Sequence, residues 1–263
     1  MIKRELKYNF KSFLIWTIIT LAIFLVVFLV YPSITNSENI KLMDEMLELF
    51  PEDVLKAFNM DLASLDTAYG WLKTEGYIFV LLITGCYGAI LGTNILLKEE
   101  SDKTIEYLNS LPIKRNNIVI SKTIVGLIYI ILLITLLGIF NYIGLSLSGD
   151  FDKKQYLLLS LTPLFPTILT YFICLFLSTF THKSKKMLGI SLGFVLISYI
   201  LQTISTIAES VEFLKYFSVF TLADTRNIIT KISLNPVMIL ITIVLSLIFF
   251  VLTIYKYNKK ELV

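Results

Sequence analysis

Six long stretches without any charged side chain dominate this sequence of 263 residues. Each is about as long as the roughly 20 residues that an α-helix needs to cross a bilayer. Hydrophobic residues make up 56% of the chain and charged residues only 16%, and the mean hydropathy is +0.78. These values exclude an ordinary soluble domain and predict an all-α integral membrane protein, with one transmembrane domain over residues 1–263. The predicted spans are residues 13–31, 76–97, 123–148, 156–181, 188–208 and 237–255.

Prolines and glycines inside these spans predict how the helices bend and pack. Pro163 and Pro166 fall near the start of the fourth span, where proline is expected to kink a helix. In the second span, Gly85, Gly88 and Gly92 lie along one helix, and small residues let helices approach closely in lipid. We predict that these glycines pack against another helix; the alternative is a flexible point in a moving helix.

The basic residues are distributed unevenly between the two sides of the membrane. With six spans, both termini lie on one side, and that side carries 15 of the 23 Lys and Arg residues but only six of the 20 acidic ones. Positive charge is retained on the cytoplasmic side of membrane proteins. Both termini and the loops at residues 98–122 and 182–186 are therefore predicted to be cytoplasmic.

The loop at residues 98–122 contains a short amphipathic helix. Ser101 can cap the start of this helix, Ile105 and Leu108 share a face because they are three residues apart, and Pro112 ends it. A helix of this kind between two spans is typical of a surface that docks a cytosolic partner. A solvated connector is the alternative that the pattern leaves open.

The N-terminal residues 1–11 have the pattern of an interfacial helix. Ile2, Leu6 and Phe10 recur every four residues, and basic side chains occupy other positions. Such a helix is expected to lie on an anionic leaflet. A basic flank of the first span is the simpler interpretation. The basic positions are Lys3, Arg4, Lys7 and Lys11.

Two external segments, residues 32–75 and 209–236, are predicted to form amphipathic helices. Apolar positions are spaced three or four residues apart from Ile40 to Phe50, and again from Val211 to Phe220. The helices of the first segment would form a structural lid or contact substrate. The second segment either stands in water or re-enters the membrane.

Several kinds of site are missing from the sequence. None of the six spans contains Asp, Glu, Lys, Arg or His, whereas ion-coupled transporters usually carry such groups near the midplane. The chain has no phosphate-binding GxxxxGK[ST] loop and no HExxH or GxSxG motif. It is therefore predicted to be no enzyme and to bind no cofactor itself, so the energy for uphill transport would come from another chain.

The loop at residues 98–122 resembles the first cytosolic loop of ABC type-2 permeases. That family reads E-x-x-x-G-T-L-E-x-L-L-S-L-P-I-S-R before a span that opens with lysine. This chain has lysine at position 103, where the family has glycine, which puts a tight turn before the helix in doubt. The matching positions are Glu99, Thr104, Glu106, Leu111, Pro112, Ile113 and Arg115.

The resemblance implies an exporter in which two permease copies, or one copy and a close homologue, each sit on a separate ATPase that binds ATP and Mg²⁺. The loop helix would dock into the ATPase, and the N-terminal helix would be a second transmission element. No nucleic-acid partner is implied. The coupling residues implied are Glu99, Glu100, Thr104, Ile105, Glu106, Leu108 and Leu111. Those of the N-terminal element are Lys3, Arg4, Lys7 and Phe10.

The spans are apolar and rich in aromatic residues, which favours an amphipathic or hydrophobic substrate. Members of the family often export antimicrobial peptides, toxin peptides or drugs across the bacterial plasma membrane. Two alternatives remain open. One is an ATP-independent secondary transporter or channel, and the other is a membrane sensor or scaffold whose loop docks a partner without transport.

Overall fold

The computed structural model describes residues 1–34, 67–110, 112–207, 209–223, 228 and 232–261. These residues form helices and no strands. A π-helical turn spans Leu72–Gly76, and two 3₁₀ segments span Glu209–Phe217 and Val219–Ala223. The α-helices are α1 Ile2–Ile34, α2 Ala68–Trp71, α3 Tyr77–Ser101, α4 Ile105–Ser110, α5 Arg115–Ser148, α6 Lys153–Leu161, α7 Leu164–Ser178, α8 Ser184–Ile207 and α9 Pro236–Lys259.

Six helical segments of the described chain are long and apolar enough to cross a membrane, which confirms the all-α membrane fold. The fourth is broken as the prolines predict, because α6 ends at Leu161 and α7 begins at Leu164. Pro163 cannot donate a backbone hydrogen bond, and Pro166 lies in the first turn of α7, where no such bond is needed. The segments are Ile2–Tyr31, Tyr77–Ser101, Arg115–Ser148, Lys153–Ser178, Ser184–Thr206 and Pro236–Lys259.

Residues 1–11, predicted to form an interfacial helix, are continuous with the first span in the structure. α1 continues without a break from Ile2 to Ile34, about 50 Å at 1.5 Å per residue, so it exceeds the roughly 30 Å hydrocarbon core. No glycine or proline interrupts the hydrogen bonding before Pro32. The face also differs, because Glu5 and Asn9 are buried whereas Phe10 is half exposed. Lys3, Arg4 and Lys7 are exposed as well.

The second span, α3, packs at the centre of the bundle against α7. A Cβ atom built on Gly92 would lie 2.4 Å from the carbonyl oxygen of Tyr171, and one on Gly88 would lie 2.9 Å from that of Thr167. The two backbones therefore touch at these glycines. Gly85 faces the ring of Phe220, since its built Cβ would lie 3.1 Å from that ring.

The second external segment enters the bundle in part. The 3₁₀ segment Val219–Ala223 is buried, and Val219, Phe220 and Leu222 pack in a cluster with residues of α3, α7 and α8. The preceding 3₁₀ segment leaves Tyr216 exposed. The described part of this segment is helical, and its helices are of the 3₁₀ type. The apolar pattern from Ile40 to Phe50 lies outside the described residues.

Both termini lie at the same end of the bundle, which we call the terminal end. There, the Arg115 guanidinium at the start of α5 donates to the carbonyl oxygens of Asn258 (3.1 Å) and Lys260 (2.9 Å). Lys98 at the end of α3 pairs with Glu5 of α1. These contacts join the first span to the second and the third span to the last.

Candidate functional site

Four charged side chains from three helices form a buried ion-pair cluster at the terminal end. Lys122 of α5 is completely buried, and its Nζ lies 2.7 Å from both carboxylate oxygens of Glu99 on α3. The same Nζ donates to the carbonyl oxygen of Ile95 at 2.6 Å and lies 3.6 Å from Glu5 of α1. Lys98 completes the cluster through its pair with Glu5. The two buried cations offset the two buried anions, and the half-exposed Arg4 adds a third cation at the edge, 3.4 Å from Glu5 and 3.9 Å from Glu99, which makes burial of the carboxylates tolerable.

The adjacent residue, Glu100, forms a second buried contact, which we call the Glu100 bridge. Its side chain is fully buried, with one oxygen 2.7 Å from Lys260 Nζ and the other 2.6 Å from His182 Nδ1. Lys260 also donates to the carbonyl oxygen of Thr181 at 2.7 Å. Burial lowers the pKa of Lys260, although the hydrogen bond from Lys260 to Glu100 favours the charged form. The bridge thus fastens the C-terminal residues to α3 and to the loop after α7.

These contacts correct the predicted placement of Glu99 and Glu100. Both side chains lie in the last turn of α3 and are buried inside this chain, so they are not on a surface that a partner covers. Their partners, Lys122 and Lys260, stand 23 and 160 residues away in the sequence. No spacing rule links residues at such separations, and sequence reasoning therefore missed Glu5, Lys122 and Lys260 as members of the site.

The loop helix α4 is present, but its apolar face is turned inward. Ile105 and Leu108 are buried and pack with Ile118 of α5. The partly buried Met1 and Ile113 pack against the edge of this cluster. The prediction that these two side chains are free to be buried by a partner is therefore wrong. Their hydrophobic contacts hold α4 on its own subunit. Thr104 and Glu106 are exposed, and Leu111 lies outside the described residues.

A tight turn connects α3 to α4. The backbone N–H of Asp102 donates to Lys98 O at 2.8 Å, and that of Thr104 donates to Glu99 O at 2.8 Å. Lys103 in this turn has φ +57°, the left-handed conformation that favours glycine. The tight turn before α4 therefore forms although lysine replaces the family's glycine, and Lys103 takes a strained backbone conformation.

We expect Lys103→Gly to raise the free energy of unfolding by up to about 1 kcal/mol. The left-handed conformation costs an L-residue roughly 1–2 kcal/mol, and glycine's greater freedom in the unfolded chain offsets part of the gain. Lys103→Ala is the control, because alanine retains the Cβ that causes the strain. Thermal unfolding of the purified variants measures the difference, and a lower midpoint for Lys103→Gly than for Lys103→Ala would contradict the expectation.

The fold and the site define a class: a membrane protein with six candidate spans in its described residues, whose terminal end holds a buried charge network and carries a short helix. A family model described as ABC-2 family transporter protein matches residues 1–262. The chain therefore belongs to that family, which is the family that the loop at residues 98–122 resembles. It is a multi-pass membrane protein with the role of an ABC transporter permease, and not the ATPase. No curated protein and no solved structure matches the chain.

Proposed function

We propose that this chain is the transmembrane subunit of an ATP-driven exporter of the bacterial plasma membrane. It moves an amphipathic or hydrophobic substrate, such as an antimicrobial peptide, a toxin peptide or a drug, out of the cytoplasm. A separate subunit binds ATP and Mg²⁺ and hydrolyses the ATP. Two permease copies, or one copy and a close homologue, form the working unit. Family membership supports this proposal, as does the arrangement of the terminal end.

The position of α4 is the main support for this proposed function. It follows α3 after only the three-residue turn 102–104, its inner face is fixed against α5, and its start exposes Thr104 and Glu106. A partner that pushes on α4 therefore pushes directly on α3. α3 is in turn bound to α1 and α5 through the buried ion-pair cluster and to the C-terminal residues through the Glu100 bridge.

The proposed roles differ from those implied by resemblance alone. Thr104 and Glu106 contact the ATPase, and Leu111 stays a candidate for the same contact. Ile105 and Leu108 anchor α4 to the permease. Glu99 and Glu100 act inside the chain, where they make α3, α5 and the C-terminal residues move together. The exposed Lys3, Arg4, Lys7 and Phe10 of α1 are the second contact surface, toward the ATPase or the headgroups of the inner leaflet.

The proposed function also requires that the terminal end of the bundle faces the cytoplasm. The terminal end carries 15 of the 23 basic residues, and the positive-inside tendency places it in the cytoplasm. An ATPase can then reach α4. Accessibility of single cysteines introduced at Glu106 and at Asp150, on opposite ends of the bundle, to an impermeant thiol reagent on intact cells would test this. Labelling at position 106 without permeabilisation contradicts the proposed orientation.

We expect Glu106→Lys to reduce ATP-dependent export by about tenfold or more when the chain is co-expressed with the ATPase encoded beside it. Reversing the charge of an exposed side chain at an interface places like charges together, which costs several kcal/mol, and 1.4 kcal/mol corresponds to tenfold. The measurements are ATP-dependent export, the amount of ATPase that co-purifies and its rate of ATP hydrolysis. Burial of Ile105 and Leu108 makes them poor test positions, because their replacement would disturb the fold as well.

Asp150→Lys is the matched control, since Asp150 is an exposed acidic residue at the other end of the bundle. It should leave association with the ATPase intact. Full ATPase association and export by Glu106→Lys would contradict the proposed contact. Transport that depends on an ion gradient and not on ATP would favour a secondary transporter, and association without any transport would favour a docking or sensor protein.

A further inference from the structure

Three lysines at the end of α9 have different surroundings, although they lie close together in the sequence. Lys260 is buried, and its ammonium group bonds to Glu100 in the Glu100 bridge. Lys259 is exposed and Lys256 is partly exposed. Among the residues that the structure describes, no carboxylate lies within 4 Å of either of these two ammonium groups. The buried carboxylate therefore neutralises Lys260, and the two outer lysines receive no counter-ion from the described part of the chain.

Each of the two outer lysines lies against an exposed aromatic ring. The Lys256 ammonium is 4.9 Å from the centre of the Phe180 ring, and the Lys259 ammonium is 4.2 Å from the centre of the Tyr255 ring. Cations are attracted to the faces of aromatic rings, so these contacts position the ammonium groups without neutralising them. Lys259 also donates to the Tyr255 hydroxyl. Because an ammonium group carries three N–H donors, both lysines retain donors for an anion.

The loop after α7 brings a further lysine to the same surface. Lys260 donates to the carbonyl oxygen of Thr181 at 2.7 Å, and the ring beneath Lys256 belongs to Phe180, so this loop is fastened to the end of α9. Lys183 follows two residues after Thr181, and its backbone N–H donates to the Thr181 hydroxyl at 3.1 Å. Its side chain is exposed.

Positive charge exceeds negative charge on this surface. Residues 179–187 and 255–261 hold five lysines that are exposed or partly exposed, whereas Glu261 is the exposed acidic residue in these two ranges. The excess of lysines makes the surface a site for an anion that the described residues do not supply. We call it the Lys256 surface, and it consists of Phe180, Lys183, Tyr255, Lys256 and Lys259.

The Lys256 surface lies where the apolar outer face of α9 ends. Val251 and Leu252, about one turn earlier, are 62% and 40% exposed, as expected of side chains that face lipid tails. Lysine and tyrosine just beyond such a face are typical of the depth of the lipid headgroups. An anion with attached tails fits this position, because its phosphate meets the lysines while its tails follow the outer face of α9.

We propose that the Lys256 surface binds the phosphate headgroup of an anionic phospholipid in the adjacent leaflet. Lys256 and Lys259 donate to the phosphate oxygens, and Lys183 adds positive charge beside them. Clusters of lysines just beyond a span attract anionic lipids. The bound lipid holds the end of α9 and the loop after α7 together from outside, as the Glu100 bridge does from inside. This inference concerns the lipid around the protein and does not depend on the proposed export.

The test is native mass spectrometry of the detergent-purified chain, titrated with phosphatidylglycerol or with phosphatidylcholine, whose headgroup has no net charge. Phosphatidylglycerol should bind about tenfold more tightly. The double variant Lys256→Gln, Lys259→Gln should lower the phosphatidylglycerol affinity about tenfold and leave the unfolding midpoint of the lipid-free chain unchanged. Lys153→Gln, Lys154→Gln is the matched control, because it removes two exposed lysines from the other end of the bundle and should leave the affinity unchanged.

Equal affinities for the two lipids, or an unchanged phosphatidylglycerol affinity in the double variant of Lys256 and Lys259, would overturn the proposal. An equal loss in the control variant would also overturn it, because the effect would then come from net charge and not from this surface. Displacement of phosphatidylglycerol by glycerol 3-phosphate at the same concentration would assign the lysines to a free phosphate. Loss of the co-purifying ATPase from the double variant, with its lipid affinity unchanged, would assign them to the ATPase instead.

Discussion

Replacement of Lys122 by methionine is expected to lower the free energy of unfolding by roughly 3–5 kcal/mol, the usual cost of breaking a buried ion pair by removing one partner. The Lys122 ammonium contacts both oxygens of Glu99 and the carbonyl oxygen of Ile95, and it is fully buried. Its loss leaves the buried carboxylates of Glu99 and Glu5 with Lys98 and the half-exposed Arg4 as their cationic partners among the described residues. Thermal or denaturant unfolding in detergent measures the change.

Two further variants show whether the buried charge causes this loss. Lys186→Met alters an exposed lysine at the same end of the bundle and should leave the unfolding midpoint unchanged. The double variant Lys122→Met, Glu99→Leu removes both charges and should recover much of the stability, because apolar side chains of similar volume commonly replace a buried ion pair at little cost. A Lys122→Met protein as stable as the wild type would contradict the role of the buried ion-pair cluster.

Gly92→Ala is expected to destabilise the bundle by about 1–3 kcal/mol, the range for overpacking a well-packed interior. The added Cβ would lie 2.4 Å from the carbonyl oxygen of Tyr171 and 3.2 Å from the backbone nitrogen of Leu175. Both are backbone atoms, so α3 and α7 must separate to make room. Because these two helices form the centre of the bundle, we also expect transport to fall.

The chain provides a graded series of controls for this prediction. At Gly88 the nearest backbone atom would lie 2.9 Å from the new Cβ, so Gly88→Ala should cost less than Gly92→Ala. At Gly189 nothing lies within 4 Å, and alanine there should be neutral or stabilising by up to about 1 kcal/mol through its higher helix propensity. Equal unfolding midpoints for Gly92→Ala and Gly189→Ala would show that close packing of α3 on α7 is not what the glycine provides.

The features that sequence reasoning predicted correctly depend on neighbouring residues. Six apolar stretches require six spans because a bilayer imposes a minimum length on each, and an even number brings both termini to one end. The break between α6 and α7 follows from the missing N–H of Pro163. The continuity of residues 1–11 with the first span was not predicted, because a basic, partly apolar sequence fits equally an interfacial helix and the first turns of a long span.

The sequence predicted several residues of the candidate site but not how they are arranged in space. The match to the family's loop located α4 and its residues, and the amphipathic spacing determined that Ile105 and Leu108 share a face. Which surface that face packs on was left open, and docking onto a partner was the natural interpretation. The structure places it on Ile118 of the same chain, so the outer positions, with Thr104 and Glu106 among them, become the candidate contact.

The sequence by itself determined the membrane class, the number of spans and the place of the loop helix, since hydropathy, proline and short-range spacing act within a few residues. Only the tertiary structure decided that Glu99 and Glu100 are internal and that Asp102 is exposed. Glu99, Glu100 and Asp102 lie within four positions of each other, and nothing in the sequence distinguishes them. They differ because Lys122 and Lys260 reach the first two from distant parts of the chain, and burial of a carboxylate is tolerated only where such a counter-charge arrives.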